Sequence, residues 1–276
     1  MITNRIGAAL LTCALTLTAL LGPLAWSAAG APGSGRLICD QNQHTLVANS
    51  KHRPYYLRSP YWHGGTGKQC IRSTGGARWL VAREAHNDGS NRVIGYPSIM
   101  TGCIWMICTP HTNLPMQVRA IKSFHSTWHV RHTLHGKPWV ANAAYDIWFG
   151  KGKSGPGGRA TRNGAELMIW LNWHAVGSQT LSSPKVKVAG HWWHLVTGRA
   201  HDAQLGISWN YISFRLVHRQ WHVDALDINK LIHHLERHRH LIHPDWYLQT
   251  ISAGFEIVSG GVGLGTNRFN VTVAHR

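Results

Sequence analysis

Short segments with the hydrophobic pattern of β-strands recur along almost the whole chain and limit what it can fold into. Clusters of Gly, Pro, Asn or Ser separate each segment from the next. Many short strands punctuated by turn residues are typical of a β-sandwich or jelly roll. The sequence therefore predicts an all-β fold built from the segments HTLVA, YYLR, RWLVA, IWMI, WHVRHTL, KPWVAN, YDIWF, ELMIWLN, KVKVA, WWHLVT, NYISFRLV, YLQTISAGFEIV and FNVTV.

One segment, from Asp224 to His243, has helical periodicity instead. Asp224 or Asp227 is placed to cap such a helix, and Pro244 to end it. Its apolar stripe consists of Leu226, Leu231, Ile232, Leu235 and Ile242, and its other face carries His233, His234, Arg237, His238 and His240. His234 and His238 are one turn apart and could bind a metal, but the spacing implies no third ligand. We interpret this face as solvated and expect no metal.

The N-terminus has the parts of a secretory signal peptide. Arg5 precedes an apolar run from Ile6 to Leu21, and small residues follow at Ala25, Ser27 and Ala29. An uncleaved membrane anchor is the alternative, although the run is slightly short for a bilayer span. We expect residues 1–31 to be a signal peptide and short linker, and residues 32–276 to be one domain of an extracellular protein, secreted or retained at the cell surface.

Five cysteines are present, of which Cys13 lies in the apolar N-terminal run. The remaining four, an even number in an exported protein, indicate two disulfides. Cys103 and Cys108 are close enough to close a small loop, which leaves Cys39 and Cys70 as the other pair. A zinc site is the alternative, but no CxxC or HxxxH motif lies beside these residues.

The chain is strongly basic, with a net charge of +17 and 21 histidines in addition. Such a surface adheres to anionic cell envelopes, acidic polysaccharides or nucleic acid. Specific nucleic-acid binding would require clustered Lys and Arg with exposed aromatic residues, whereas these charges are spread along the sequence. We interpret the charge as a surface property that favours anionic cell-envelope surfaces as partners. We expect no specific binding of nucleic acid, and we expect the protein to be a monomer.

Acidic residues are scarce, with four Glu and seven Asp, so their positions are informative. In AELMIWLN, strand alternation places Glu166, Met168, Trp170 and Asn172 on one face and purely apolar residues on the other. The same alternation places Glu256 opposite Phe255 and Ile257, and Asp146 beside Trp148. Each acid could instead cap a turn, pair with Arg or face solvent. Hydrolysis of a glycosidic bond requires two carboxyl groups across the bond, and a jelly roll with a concave cleft can supply them from neighbouring strands.

At these residues the chain resembles glycoside hydrolase family 12, the small jelly-roll endoglucanases and xyloglucanases. The resemblance covers nearly the whole chain after the N-terminal run, in order. It consists of Cys39, YYLRSPYW, Cys70, GYPSIMTGCIWMIC, NLP at 113–115, NAAYDIWF at 142–149, ELMIWLN at 166–172, DWYLQTISAGFE at 245–256 and GGVGLGTNRF at 260–269.

The resemblance implies a retaining endo-β-1,4-glucanase that needs no cofactor. Its nucleophile would be Glu166 and its acid/base Glu256, with Asp146 holding the nucleophile in register. Glu256 should then have the higher pKa of the two glutamates, because of desolvation and the neighbouring negative charge. The residues that would bind β-1,4-glucan are Trp62, Trp105, Asn142, Met168 and Trp170. Both disulfides are also expected from the family.

The chain departs from the family pattern around the cleft. Ser59-Pro60 replace an Asn pair before Trp62, Ile104-Trp105 replace a His and an aromatic residue, and Val258 replaces an aromatic residue. These changes leave the chemistry intact and affect substrate preference. A xyloglucan-specific hydrolase or transglycosylase, and a non-catalytic polysaccharide-binding protein, remain as alternatives.

Overall fold

A computed structural model of the chain describes residues 35–62, 69–85, 92–104, 107–134, 138–152, 163–176, 183–203 and 206–276. These residues belong to one compact unit. None of the helices that they form is long and apolar enough to span a membrane.

Strands dominate the described residues, as the sequence predicts. In chain order they are β1 (Leu37–Ile38), β2 (His44–Ala48), β3 (Pro54–Arg58), β4 (Cys70–Gly75), β5 (Arg78–Arg83), β6 (Ser98–Ile104), β7 (Ile107–Cys108), β8 (Met116–Gln117), β9 (Ile121–His132), β10 (Trp139–Gly150), β11 (Ala165–His174), β12 (Lys185–Val188), β13 (His191–Asp202), β14 (Ile207–Leu216), β15 (His222–Asp227), β16 (Tyr247–Gly254), β17 (Ile257–Gly260) and β18 (Leu264–His275). The helices are a short 3-10 turn (Val118–Ala120) and α1 (Ile228–Arg239).

The strands form two sheets. Within the described residues, one has the order β1-β4-β5-β18-β9-β15, and the other has the order β12-β13-β14-β11-β10-β16-β6-β3-β2, with β17, β7 and β8 paired at its sides. Neighbouring strands are antiparallel except β11 and β14, which run parallel. The predicted jelly-roll sandwich with one outer helix is confirmed, and the parallel pair is an addition to it.

Some predicted strands have different limits. KPWVAN and YDIWF are parts of one continuous strand, β10. Of the predicted strand IWMI, Ile104 lies in β6 and Ile107 in β7, and residues 105 and 106 lie outside the described residues. YLQTISAGFEIV is divided into β16 and β17 at Phe255 and Glu256. Glu256 therefore lies in a break between strands rather than in mid-strand, which corrects the sequence-based expectation.

The core lies between the facing sides of the two sheets, where alternate residues of each strand are buried. The predicted apolar face of β11 is confirmed, because Ala165, Leu167, Ile169 and Leu171 are all fully buried in it. Phe255 contacts Trp79 and Trp128, with ring centroids 5.7 and 5.9 Å apart. Burial of large aromatic side chains in such pairs stabilises the sandwich and fixes the backbone that carries the next residue, Glu256.

The helix α1 begins after Asp227, one of its two predicted caps, and ends before the predicted stop at Pro244. Residues His222–Asp227 form β15, and the Asp227 side chain accepts a hydrogen bond from the Lys230 backbone N–H at 3.1 Å, which caps the helix. The helix ends at Arg239 because His240 adopts a left-handed conformation, before Pro244 is reached. The predicted apolar stripe is buried, with Leu231, Ile232 and Leu235 fully inaccessible.

Both expected disulfides are present. Cys39 is bonded to Cys70 and Cys103 to Cys108, with Cα atoms 4.2 and 4.1 Å apart. The first joins the start of the domain to β4, and the second closes the β6–β7 hairpin. The zinc alternative for these four residues is therefore wrong.

Loss of the Cys39–Cys70 bond is expected to destabilise the fold more than loss of the Cys103–Cys108 bond. The bonds span 31 and 5 residues, and the entropy that a crosslink removes from the unfolded chain grows with loop length. On that basis the paired Cys→Ser variants should lose about 4 and about 2 kcal/mol of unfolding free energy. Urea titration of each variant measures the losses, and the reverse order would contradict the loop-length explanation.

Candidate active site

Three carboxyl groups occupy the sheet face that points away from the core. Glu166 lies on β11, Asp146 on the adjacent β10, and Glu256 between β16 and β17, both of which pair with β10. All three side chains are partly buried. Their sequence neighbours point into the core, namely Ala165, Leu167, Tyr145, Ile147, Phe255 and Ile257. The structure thus brings the three predicted acids together on one face.

Glu166 is held by an indole that the sequence analysis missed. The Trp209 Nε1–H donates a hydrogen bond to Glu166 Oε2 at 2.7 Å. Trp209 comes from β14, the parallel neighbour of β11, and its ring lies 5.4 Å from that of Trp148, the residue opposite Glu166 on β10. One oxygen of the Glu166 carboxylate is therefore fixed by a neutral donor.

Asp146 faces Met168 across the β10–β11 pair and is diagonal to Glu166. Its Oδ2 accepts a hydrogen bond from Trp148 Nε1 at 2.9 Å. Its Oδ1 is buried and, within the described part of the chain, has no hydrogen-bond partner. A buried carboxylate oxygen without a donor favours the protonated form of the group.

Glu256 is held by Asn142, a fully buried residue of β10. The Asn142 Nδ2–H donates to Glu256 Oε2, and the Glu256 backbone N–H donates to Asn142 Oδ1 at 3.0 Å. The Asn142 backbone N–H also donates to the Glu256 carbonyl at 3.1 Å. Asn142 thus fixes both the backbone and the carboxyl group of Glu256.

The pKa values of all three acids are raised, and the main cause is burial. For Asp146 burial raises the pKa to about 7, and the charge of Glu256 adds to this, while Trp148 and Arg58 oppose it. For Glu166 burial and then the charge of Asp146 raise the pKa well above its usual value. The pKa of Glu256 is raised by burial, which Asn142 and Arg215 partly offset.

Burial raises the pKa of both glutamates, but the neighbouring negative charge does not act on Glu256 as the sequence analysis expects. The neighbouring negative charge acts chiefly on Glu166, because Asp146 is its diagonal neighbour. Glu256 has Arg215 nearby instead, which lowers its pKa. Asp146 and Glu166 are best treated as a coupled pair whose protons belong to both groups.

Two tyrosines that the sequence analysis did not single out complete the surroundings. Tyr96 donates a hydrogen bond from its hydroxyl to the Ala144 carbonyl at 2.9 Å, and burial together with the three acids raises its pKa. Tyr211 lies opposite Glu166 on β14, with its hydroxyl 3.5 Å from Met168 Sδ. Trp209 and Tyr211 alternate with the core residues Ile212 and Phe214, and this pattern could have placed them on the carboxylate face.

The predicted binding residues differ widely in accessibility. Trp62 is 38% exposed, whereas Met168 and Trp170 are 1% and 4% exposed. The Arg215 guanidinium covers the Trp170 ring at 3.8 Å. Asn142 contacts Glu256 instead of facing open solvent, and Trp105 lies outside the described residues. Among the described members of this group, Trp62 is the aromatic residue with an accessible ring.

Ser59 is fully buried. Its hydroxyl accepts a hydrogen bond from Gln69 Nε2 at 3.0 Å. Gln69 also donates to the Pro60 carbonyl at 3.1 Å. The Ser59 hydroxyl and the Pro60 carbonyl therefore bind Gln69 in the protein interior.

Within the described ranges, no group of three or more His, Cys, Asp or Glu side chains is arranged to hold a metal ion. His234 and His238 do come together on α1, with ring centroids 5.2 Å apart.

Comparison with known proteins identifies the family. No curated protein matches the chain. A metagenome-derived glycoside hydrolase family 12 endoglucanase is 31% identical and has a TM-score of 0.73, with 88% of this chain and 99% of that chain covered. Endoglucanase Cel12A from Rhodothermus marinus is also 31% identical, with a TM-score of 0.73 and coverages of 87% and 100%.

A family 12 xyloglucanase from Bacillus licheniformis shares the fold at 22% identity, with a TM-score of 0.70 and coverages of 87% and 100%. The model of glycosyl hydrolase family 12 matches residues 54–274, which include all three acids described above. The chain is a member of glycosyl hydrolase family 12.

Proposed function

We propose that this protein is a retaining endo-β-1,4-glucanase with Glu166 as nucleophile, Glu256 as acid/base and Asp146 as the support of the nucleophile. The observation that carries the proposal is the placement of the three acids on one sheet face, each with its own hydrogen-bond donor. Two carboxyl groups across a glycosidic bond are the machinery that its hydrolysis requires. The relatives at 31% identity are endoglucanases.

The reaction proceeds in two displacements. In the first, the Glu256 carboxyl donates its proton to the leaving oxygen while a Glu166 oxygen bonds to the anomeric carbon. In the second, Glu256 takes a proton from water, whose oxygen displaces Glu166 and releases the sugar with its original configuration. Because burial raises the pKa of Glu256, its carboxyl group retains the proton that it donates in the first step.

The hydrogen bonds fit these different roles. Trp209 donates to Glu166 without adding charge, so one oxygen is oriented and the other is left for attack. Asp146 and Glu166 titrate as a coupled pair, and a proton held on Asp146 leaves the Glu166 carboxylate free to attack. Asn142 fixes the backbone of Glu256 so that the same carboxyl group can act first as acid and then as base.

Proton NMR during hydrolysis of a soluble β-glucan tests the stereochemistry. A retaining enzyme releases the β-anomer first, and mutarotation follows. Initial release of the α-anomer would contradict the proposal. Reducing-sugar release from carboxymethyl cellulose, mixed-linkage glucan and xyloglucan tests the polymer preference, and activity on xyloglucan alone would favour the xyloglucanase alternative. The three intact acids argue against a non-catalytic binding protein.

Short cello-oligosaccharides are expected to be poorer substrates than long glucans. Ser59-Pro60 direct their polar groups inward, so two amides that could bind sugar hydroxyls near Trp62 are missing. Longer chains offset this loss through remote binding sites. We expect kcat/KM to be at least about tenfold lower on a trimer than on a long soluble glucan, and equal values would contradict the explanation.

We also propose that residues 1–31 direct export and that residues 32–276 act as a monomeric catalytic domain outside the cell. The two disulfides support this, because such bonds persist in oxidising compartments. The net charge of +17 supports retention at anionic envelope surfaces. N-terminal sequencing of the protein from the medium and from washed cells tests cleavage and location together.

A further inference from the structure

A continuous row of paired residues crosses the twelve-stranded sheet on the carboxylate face. From one edge to the other, strand pairing places the following residues side by side in the described sheet: Lys185, His194, Arg215, Trp170, Ala144, Gly254, Ser98, Arg58 and His44. Five of these nine are Lys, Arg or His, and none is acidic.

The row passes between the two glutamates. On β10, Trp148 pairs with Glu166 on one side of Ala144, and Asn142, which holds Glu256, lies on the other side. A chain positioned for cleavage between Glu166 and Glu256 therefore runs along this row. Arg215 and Arg58 are only 3% and 8% exposed, and they offset the charges of Glu256 and Asp146 rather than form an open surface.

The row leads to a basic aromatic strip at the β12–β13 edge, which we define as Lys185, Lys187 and Trp192. Both lysines are exposed, and Trp192 is 48% exposed. Lys187 Nζ lies 6.0 Å from the centre of the Trp192 ring. Because Val186 and Trp193 pack into the core, the strip lies on the same face as the three acids. It is about 14 Å, or three strand spacings, from Trp170.

The sequence around the basic aromatic strip contains little negative charge, whereas Arg215, further along the row, lies near Glu256. Between Lys185 and Leu216 there are four Lys or Arg residues and three His, but one acid, Asp202. Asp202 lies at the far end of β13, eight residues from His194, or about 27 Å along the strand. The charge at this end of the cleft therefore favours an anionic ligand.

We propose that the basic aromatic strip binds carboxylate-bearing β-glycan chains, so that the substrate class of this enzyme includes acidic polysaccharides; the inference rests on the proposed function. The Trp192 ring stacks on the apolar face of a sugar. Lys185 and Lys187 contact the carboxylate that the sugar carries. Sugars bound here are remote from the reacting bond, so the strip selects the polymer without taking part in the chemistry.

Binding to two cellulose ethers tests the proposal independently of turnover. Carboxymethyl cellulose and hydroxyethyl cellulose share the β-1,4-glucan backbone, but only the first is anionic. The probe protein is the full chain with Glu166→Gln, measured by affinity electrophoresis at low ionic strength. We expect tighter binding to carboxymethyl cellulose, and adding K185Q/K187Q should weaken it about three- to tenfold. W192A should weaken binding to both polymers.

The control K51Q/K122Q removes the same charge from positions outside the row and the strip, and it should weaken binding to carboxymethyl cellulose less than about twofold. Equal weakening by the two double variants would overturn the proposal in favour of general surface charge. Equal affinity of the probe protein for the two polymers would overturn it as well. Hydrolysis of hydroxyethyl cellulose by the unmodified enzyme is measured separately, and its absence would contradict the proposed function but not the binding inference.

Discussion

Glu166→Gln is expected to reduce turnover of soluble β-glucan at least about 10⁴-fold, because the amide cannot form the covalent glycosyl intermediate. Glu256→Gln should reduce turnover of the same polymer by about 10²–10⁴-fold, the usual contribution of a general acid. On an aryl glycoside with a good leaving group the two variants should differ further. Departure of that group scarcely needs a proton, so the first step survives in Glu256→Gln and fails in Glu166→Gln.

The release of the aryl group in the first turnover separates these cases in a stopped-flow experiment. Both substitutions preserve shape, and the glutamine oxygen at 166 can still accept the Trp209 hydrogen bond, so thermal unfolding should show intact folding. Glu236→Gln on α1 is the matched control, since Glu236 contacts His233 on the helix and should keep full activity. Equal losses for Glu166→Gln and Glu256→Gln on the aryl substrate would mean that the roles are assigned wrongly.

Strand periodicity was enough to predict the sandwich and the face on which the acids lie. Alternation along β11 and β10 depends on local sequence, because each residue points opposite to its neighbour. The same logic fails where a strand is irregular. The register shifts between Ala143 and Ala144, so Trp173 packs against Trp170 at 5.9 Å although strict alternation would place it in the core.

Contacts that depend on long-range pairing were beyond sequence reasoning. Trp209 reaches Glu166 because β14 lies parallel to β11. The sequence of neither strand alone predicts this pairing or its register. Arg215 covers Trp170 for the same reason, which is why an aromatic residue expected to line an open cleft is buried. Sequence alone left Asp224 and Asp227 as alternative caps of the helix. The choice of Asp227 depends on the pairing of β15 with β9, which extends the sheet to that residue.

Asp146 makes the free energy of unfolding depend on pH, because burial raises its pKa to about 7 in the folded protein. In the unfolded chain an aspartate has a pKa of about 3.9. Between these values the folded state holds a proton that the unfolded state releases. Stability from this group is therefore complete below about pH 4 and is lost as the pH rises through 7. The buried carboxyl group of Asp146, which belongs to the candidate site, therefore destabilises the fold at neutral pH.

Asp146→Asn should remove this dependence, because the amide does not ionise and its oxygen can still accept from Trp148. Relative to the parent protein, we expect the variant to gain on the order of 4 kcal/mol of unfolding free energy between pH 4 and pH 8. Urea titrations at both pH values measure the change. Asp224→Asn is the matched control. The hydrogen bond from His129 lowers the Asp224 pKa, so stability from Asp224 is lost only as the pH falls below about 4, and Asp224→Asn should leave the difference between pH 4 and pH 8 nearly unchanged. A gain for Asp146→Asn that is the same at pH 4 and pH 8 would show that Asp146 stays ionised in the folded protein.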